Sequence, residues 1–524
     1  MKRRNFLKSS ALLPVGLGGL AVRAYANSPL LDMLADRAAS NDKVFVIVSL
    51  NGGNDGLNTL IPLDQYSNLS KARNNILIPD TKVLALSGKT GVGLHPAMTG
   101  LQNMYNNGLV SALQCVGYAN PNFSHFRATD IWMTGSNADE AWVTGWMGRY
   151  LDSQFPGFPS GYPNTGSPDP PAIQIGSTVT LNTMGSASNL AMAITDPTNF
   201  YNLVNGTVDT APSNNYGKEL TYIRTIGLQT NKYATVVKAA AAAGNNLSTK
   251  YPAKGNSIAD QLKIVAKLIK GGLKTKVFIV SQGGYDTHSQ QSDSTDLTKG
   301  NHANLLGQLS TAIEAFQDDL KLMAIDDKVA GMTMSEFGRR IQSNFSLGTD
   351  HGAAAPLFVF GTGVQSGIIG TNPTIPSTTT ANDNLPMQYD FRQIYVSVLQ
   401  DWFGLTKSEA KAAMGGKDFN TLPIFKSNPA GLEDWADLMS RIQLSDPFPN
   451  PAREQVSIKF YTDGGKIDLV LFDALGNQIR TLGSGMHTAG EHELTVQISG
   501  LAPGNYFVQL GQGNRKATKV LTIQ

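Results

Sequence analysis

Four times along this chain a short apolar run of strand-like character opens into a loop carrying side chains that ligate metals or attack esters. Lys43–Leu50 leads into Asn51-Gly52-Gly53-Asn54-Asp55-Gly56, and Leu109–Gly117 leads toward Asn122-Phe123-Ser124-His125. Lys276–Ser281 leads into Gly283-Gly284-Tyr285-Asp286-Thr287-His288. Val329–Ser335 leads into Glu336, with Asp350-His351-Gly352 shortly after. In an open parallel sheet, loops at the carboxyl ends of strands gather on one edge, and ligands bind there. The repeated pattern therefore predicts one crevice that receives Asp, Ser, His and Glu from separate segments, a hydrolytic metal site rather than a binding scaffold.

Helical segments between these runs fix the fold class. His95–Gly108 has apolar residues at helical spacing and ends at Asn107-Gly108, a C-cap signal. Ser257–Lys270 puts Ile258, Leu262, Val265 and Ile269 on one face, and His302–Met323 does the same with Leu305, Leu309, Ile313 and Phe316. Ala234–Ala243 is helical by alanine propensity, and Phe391–Phe403 reads as a late covering helix. Alternation continues to Pro356–Gly361. The expectation is α/β, mostly parallel, with helices on both faces. Residues 136–171, rich in Gly, Pro, Ser and Asn, read as a long loop excursion whose Trp142, Trp146 and Tyr150 pack. Asn205–Asn215 reads as a loop.

The two ends read differently. Lys2-Arg3-Arg4-Asn5-Phe6-Leu7-Lys8, an apolar stretch from Ala11 to Val22 and Ala24-Tyr25-Ala26 form a twin-arginine export signal over residues 1–26. A lead-in helix follows over residues 27–42. Removing the signal's five basic residues and no acid takes the formal charge from +2 to −3, which gives no reason to favour nucleic acid. No later apolar run is long enough to span a bilayer. The single cysteine, Cys115, sits inside an apolar run and reads as a small buried residue. Composition shifts near Ser445 at the proline-rich stretch Asp446–Pro451. Short alternating runs then predict a small all-β sandwich of immunoglobulin-like size over residues 445–524, leaving 27–444 to the α/β domain.

Asp286 and His288, two apart in an extended segment, point the same way and can share an ion. Asp350 and His351 are adjacent and can serve one ion each from a loop, and Asp55 supplies a further oxygen. Mixed histidine and carboxylate ligation suits zinc, manganese or another first-row ion; an all-oxygen set would suit calcium or magnesium. Each fragment alone also has a structural reading: Asp55 as a turn residue, Glu336 in a helix-start ion pair with Arg339 and Arg340. Their joint placement after successive strands favours a site. Ser124 is the candidate nucleophile, although it could equally be a helix N-cap. Arg127, Arg339 and Arg340 are candidates for a fork on an anionic group. There is no Gly-x-Ser-x-Gly elbow.

These residues lie in LNGGNDGLN (50–58), LHP (94–96), NFSHF (122–126), SQGGYDTHSQQ (281–291), MSEFGRR (334–340) and TDHGAAAP (349–356). Together they resemble the bacterial domain-of-unknown-function 1501 family, grouped by similarity with the alkaline phosphatase and sulfatase superfamily. The resemblance covers roughly residues 40–410 and implies an alkaline-phosphatase-like fold with a metal-assisted hydrolase site. Asp55, Ser124, Asp286/His288 and Asp350/His351 fit the superfamily's order of carboxylate, nucleophile and two acid–histidine pairs. The Asp286–His288 spacing is narrower than usual there, and no histidine occurs between His351 and His487. One metal, a substituted ligand such as Glu336, or a degenerate site all stay open.

Pro-Asn-Pro (449–451), FDALGNQI (472–479), LAPGNYFVQL (501–510) and TKVLTI (518–523) resemble the sorting domain of type IX secretion substrates. That resemblance implies passage through the twin-arginine and type IX machineries, to the periplasm and then the cell surface or beyond. The combined expectation is an exported hydrolase of phosphate or sulfate esters. In it Ser124 attacks, Arg127 and Glu336 assist, and Asp55, Asp286, His288, Asp350 and His351 hold a divalent ion. The competing expectation is a non-catalytic surface protein that binds glycan or another extracellular partner on the same fold.

Overall fold

The computed structural model describes residues 42–197, 231–426, 442–473, 476–512 and 515–524. The export signal, the lead-in helix and the loop expected at Asn205–Asn215 lie outside the described residues. The chain divides into one unit spanning Ala39–Lys426 and a second that contains Ser427–Gln524.

The first unit is built on a mixed, mostly parallel sheet. Its strands are β1 (Val44–Leu50), β2 (Val110–Gly117), β3 (Ala172–Ile175), β4 (Ala191–Ile194), β5 (Val277–Gln282), β6 (Val329–Met334), β9 (Ala355–Gly361), β10 (Gly367–Ile369) and β11 (Tyr389–Asp390). Between β6 and β9, β7 (Gly338–Ser343) and β8 (Thr349–Gly352) form a separate antiparallel pair. The sheet order is β10-β2-β9-β6-β1-β5-β3-β4, with β11 also on β2. Every residue of β1 is buried, as a run with no polar alternation demands when both faces are covered. It pairs in parallel with β5 on one side and β6 on the other.

Helices α1 (Tyr66–Arg73), α2 (Thr99–Asn106), α3 (His125–Thr134), α4 (Trp146–Gln154), α5 (Ser257–Lys270), α6 (Asn301–Leu322) and α7 (Phe391–Ser397) complete the elements used below. Asn256 caps α5 by accepting from the Ala259 N–H, and Ile258, Leu262, Val265 and Ile269 are buried as their spacing predicts. Residues 231–243 are helical. The expected helix at Phe391–Phe403 begins at Phe391 behind an Asp390 capping box, then widens to a π turn over Val398–Trp402.

Two features differ from the sequence expectation. Strand β9 is antiparallel to both β2 and β6, because the β7–β8 hairpin returns the chain without the crossover helix that a parallel neighbour needs. The stretch 136–171 is not loop throughout. Trp146, Met147, Tyr150 and Leu151 make a buried helical face on α4, a pattern masked by the surrounding Gly and Pro. The Trp146 ring stacks on Tyr395 with centroids 3.9 Å apart.

The second unit is an antiparallel β-sandwich region with its own core, including Val456, Ile458, Leu469, Leu471, Val508 and Leu510. Its strands are β12 (Ile442–Leu444), β13 (Gln455–Phe472), β14 (Gln478–Gln497), β15 (Gly504–Gln512) and β16 (Arg515–Ile523). Gly464-Gly465 lies inside β13. Their φ values of +95° and +120° are open to glycine, and pairing with β14 continues at Gly465↔His487. Among the described residues no helix is long and apolar enough to cross a membrane.

Because α4 is a packed element, Trp146→Ala should destabilise the protein by about 3–5 kcal/mol in chemical denaturation. A cost below about 1 kcal/mol would show that this segment is loosely attached.

Candidate metal centre

Strands β1, β2, β5 and β6 run in the same direction, so the loops after them share one edge, and the β7–β8 hairpin rises from it. Close backbone approach makes the cluster possible. Gly52 has φ +125°, and a Cβ there would lie 2.2 Å from the Asp286 nitrogen. A Cβ on Gly348 would lie 2.3 Å from the His288 carbonyl carbon. Glycine at both positions lets the loops after β1, β5 and β7 meet at backbone distance.

Three histidines converge there with one carboxylate. His288 Nε2 and His351 Nε2 are 2.9 Å apart, and lie 3.2 and 3.1 Å from Asp286 Oδ1. His125 Nε2 lies 3.4 Å from Asp286 Oδ2. One ligating atom each from His125, Asp286 and His351 falls within 4.8 Å of the others. Each ring is fixed through its other nitrogen. His125 Nδ1 meets Glu336 Oε1 at 2.9 Å, His288 Nδ1 meets Asp350 Oδ1 at 3.0 Å, and His351 Nδ1 meets the Phe123 carbonyl at 2.8 Å. A carbonyl or carboxylate oxygen accepts, so each Nδ1 carries the hydrogen and each Nε2 presents a lone pair. This is the arrangement by which outer partners orient metal-ligating imidazoles.

The fit to an ion can be tested on these distances. Two imidazole lone pairs facing each other at 2.9 Å repel unless a proton or a metal stands between them. Ligand atoms about 2.0–2.1 Å from one ion stand about 2.9–3.4 Å apart at ordinary coordination angles. The observed 2.9, 3.1, 3.2 and 3.4 Å separations fall in that range. His125, Asp286 and His351 therefore form a group that could hold one divalent ion, with the His288 ring against Asp286 and His351.

The Asp286 carboxylate is kept charged. Burial opposes the charge, but the hydrogen bond and charge of Arg339, with the His351 and His288 rings alongside, outweigh it and hold the carboxyl down to about 2. Arg339 is itself buried. It donates to the carbonyls of Gly53 (2.7 Å), Thr349 (2.8 Å), Tyr285 (3.0 Å) and Gly52, and to Asp286 Oδ1 (2.8 Å). The Phe337 ring packs against His125 and His351, with centroids 5.0 and 4.5 Å away.

The candidates from the sequence separate into distinct places. Asp286, His288 and His351 lie together. Asp350 holds the outer nitrogen of His288, since adjacent residues of β8 face opposite ways. Glu336, on the rim, bridges the Gly52 N–H and His125. Asp55 lies elsewhere: it is 1% exposed, with both oxygens on Arg73 at 3.0 and 2.8 Å and one on Gln291 at 2.6 Å. Its charge is already neutralised inside the protein, so no lone pair is turned to the cluster. Arg127 gives its Nη2 to the carbonyls of Asn137, Ala138 and Glu140, and Arg339 uses Nε, Nη1 and Nη2 internally, so Arg339 is not an open anion fork. Arg340 donates to the Asn382 carbonyl and lies over the Phe123 ring, 4.9 Å from its centroid. Ser124 is the N-cap of α3, but its side chain makes no capping bond and is exposed. His125 was missed because its neighbour looked like the reactive group; the signal was a histidine in the first turn of a helix on the ligand-bearing edge.

A family model described as a protein of unknown function, DUF1501, matches residues 134–414, more than half of the chain. The chain belongs to the DUF1501 family. The matched span holds Asp286, His288, Glu336, Asp350 and His351, whereas Ser124 and His125 precede it. Residues 447–524 match a secretion system C-terminal sorting domain, so this DUF1501 protein is exported through the type IX machinery to the cell surface or beyond. No curated protein matches the chain. Solved structures similar to it are distant. They include the PsFucS1 sulfatase from Pseudoalteromonas sp., with 9% identity, 95% of this chain and 88% of that chain covered, and a TM-score of 0.32. Alkaline phosphatase from the Antarctic bacterium TAB5 shows 10% identity, covers 60% of this chain and 91% of its own, and has a TM-score of 0.25.

Behind the centre, His302 donates from Nε2 to the Asn54 side-chain oxygen at 2.9 Å, and His95 lies edge-on to it at 6.2 Å. Burial pushes His302 down to about 4, and burial with His302 alongside pushes His95 down to about 3. Unfolded histidine titrates near 6.5, so the unfolded chain binds more protons below that value. Stability carried by these neutral rings is complete above pH 6.5 and should fall as pH drops toward 4. His302→Gln should flatten that slope in denaturation followed across pH, and an unchanged slope would remove His302 from the account.

Proposed function

We propose that this protein is an exported, metal-dependent hydrolase of anionic esters, of the phosphate or sulfate kind. The observation that carries the reading is the set of three histidines, each anchored through Nδ1 and gathered around Asp286, with an uncapped serine next to His125 in the chain. A divalent ion held by His125, Asp286, His288 and His351 would supply Lewis acidity to an ester oxygen and lower the pKa of a hydroxyl. The donor set, nitrogen-rich with one carboxylate, favours zinc or manganese over calcium or magnesium.

The chain's own groups support the same reading. The Ser124 hydroxyl is not spent on capping, so it is available as nucleophile, and it precedes a ligand by one residue. The first N–H groups of α3 have no intrahelical acceptors, and with the helix dipole they favour a negative group in front of Ser124. Arg340 has donors beyond the one given to Asn382 and is the arginine suited to the anion in place of Arg127. Glu336 and Asp350 act through His125 and His288, as positioning residues. A cleft of about 380 Å³ along Tyr118–Pro121, walled by Leu385, Pro386 and Met387, offers space for the rest of a substrate.

The test is turnover of 4-nitrophenyl phosphate and 4-nitrophenyl sulfate by protein loaded with zinc or manganese. Ser124→Ala should lower kcat by more than about a hundredfold while metal content stays unchanged. Arg340→Ala should raise KM more than it lowers kcat. Metal-loaded protein that hydrolyses neither ester, or Ser124→Ala with wild-type rate, would overturn the proposal.

A further inference from the structure

We infer that Gln291 is a positioning residue that sets the spacing of the two ligand-bearing loops. It ties them to the buried Asp55–Arg73 pair. The inference rests on the metal reading above and extends it to residues that touch no ligand atom.

Gln291 is 1% exposed and uses its amide in both senses. Its Oε1 accepts from Thr287 Oγ1 at 3.0 Å and Thr349 Oγ1 at 2.7 Å. Its Nε2 donates to Asp55 Oδ2 at 2.6 Å. Thr287 stands between Asp286 and His288, and Thr349 immediately precedes Asp350 and His351. One side chain therefore grips the residue flanking each acid–histidine pair. The two segments are also joined directly, Thr349 N–H to Thr287 carbonyl at 3.1 Å. From Asp55 the connection continues to Arg73, whose remaining donors hold the carbonyls of Ile341 (2.8 Å) and Arg340 (2.5 Å) on β7.

The residue type follows from the partners. Two hydroxyl donors require an acceptor, and a carboxylate requires a donor, within one buried side chain; a primary amide of this length supplies both. Glutamate would set a second acid against Asp55, and two buried carboxylates in contact cannot both ionise. Methionine would keep the shape and leave Asp55, Thr287 and Thr349 short of a partner. Because ligand atoms of the two loops are only 2.9–3.1 Å apart, a small relaxation between the loops alters the ligand polyhedron directly.

The experiment is the affinity of the full chain for Zn²⁺, by competition with a chromophoric chelator, alongside thermal unfolding of the metal-free protein. Gln291→Met should weaken zinc binding by about 10- to 100-fold, as loss of outer-sphere support does elsewhere. Thr349→Val, nearly isosteric, should weaken it in the same direction, and Thr349→Ser, which keeps the hydroxyl, should restore it. These threonine variants decide the matter if Gln291→Met does not fold. A lowered unfolding midpoint with zinc affinity within twofold of wild type in Gln291→Met, or in Thr349→Val if Gln291→Met does not fold, would show a purely structural role and overturn the inference. Wild-type protein that takes up no zinc overturns the metal reading first and this inference with it, an outcome distinct from variants that bind as wild type does.

Discussion

The buried guanidinium of Arg339 is the interaction on which the rest of the edge depends. A cation withdrawn from water is costly unless its donors are met, and here four backbone carbonyls and one carboxylate meet them. Those acceptors come from the loop after β1, the loop after β5 and the start of β8. The same group that joins the three segments also holds Asp286 ionised at their meeting point. Assembly of the sheet edge and the placing of an ionised Asp286 beside three histidines are thus one event. The cost of an unpaired buried charge means that the loops cannot separate singly without penalty.

Around this arginine the polar groups sort into two shells by what they face. Glu336, Asp350 and the Phe123 carbonyl each engage an outer imidazole nitrogen, leaving the inner nitrogens to converge. Negative charge close to the centre, from Asp286, Asp350 and Glu336, is balanced by Arg339 on the inner side, and the residual attraction is for a cation. The buried Asp55–Arg73 pair lies apart from the histidine cluster, although Asp55 is a candidate ligand by sequence.

Much of this was legible in the sequence. The apolar runs at β1, β2, β5 and β6 and the helical faces of α5 and α6 predicted the sheet and its covering, because burial on both faces leaves a simple pattern. Of the Asp286–His288 and Asp350–His351 pairs read from the sequence, Asp286, His288 and His351 lie together at this edge, and Asp350 meets the outer nitrogen of His288. Other features depend on partners far away in the chain. Nothing local tells that Asp55 meets Arg73, that Arg339 is buried, or that His125 turns toward Asp286. The direction of β9 follows from a hairpin too short for a crossover. The long strand β13 looks like two short runs in the sequence because Gly464-Gly465 resembles a turn when the partner strand is unseen.

The central claim is that His125, Asp286, His288 and His351 surround one divalent ion. Anomalous diffraction from crystals equilibrated with zinc or manganese tests it most directly. The account predicts a single strong peak about 2.0–2.3 Å from the three Nε2 atoms and an Asp286 oxygen. No peak at that point under saturating metal, with His288 and His351 still in direct contact, would contradict it.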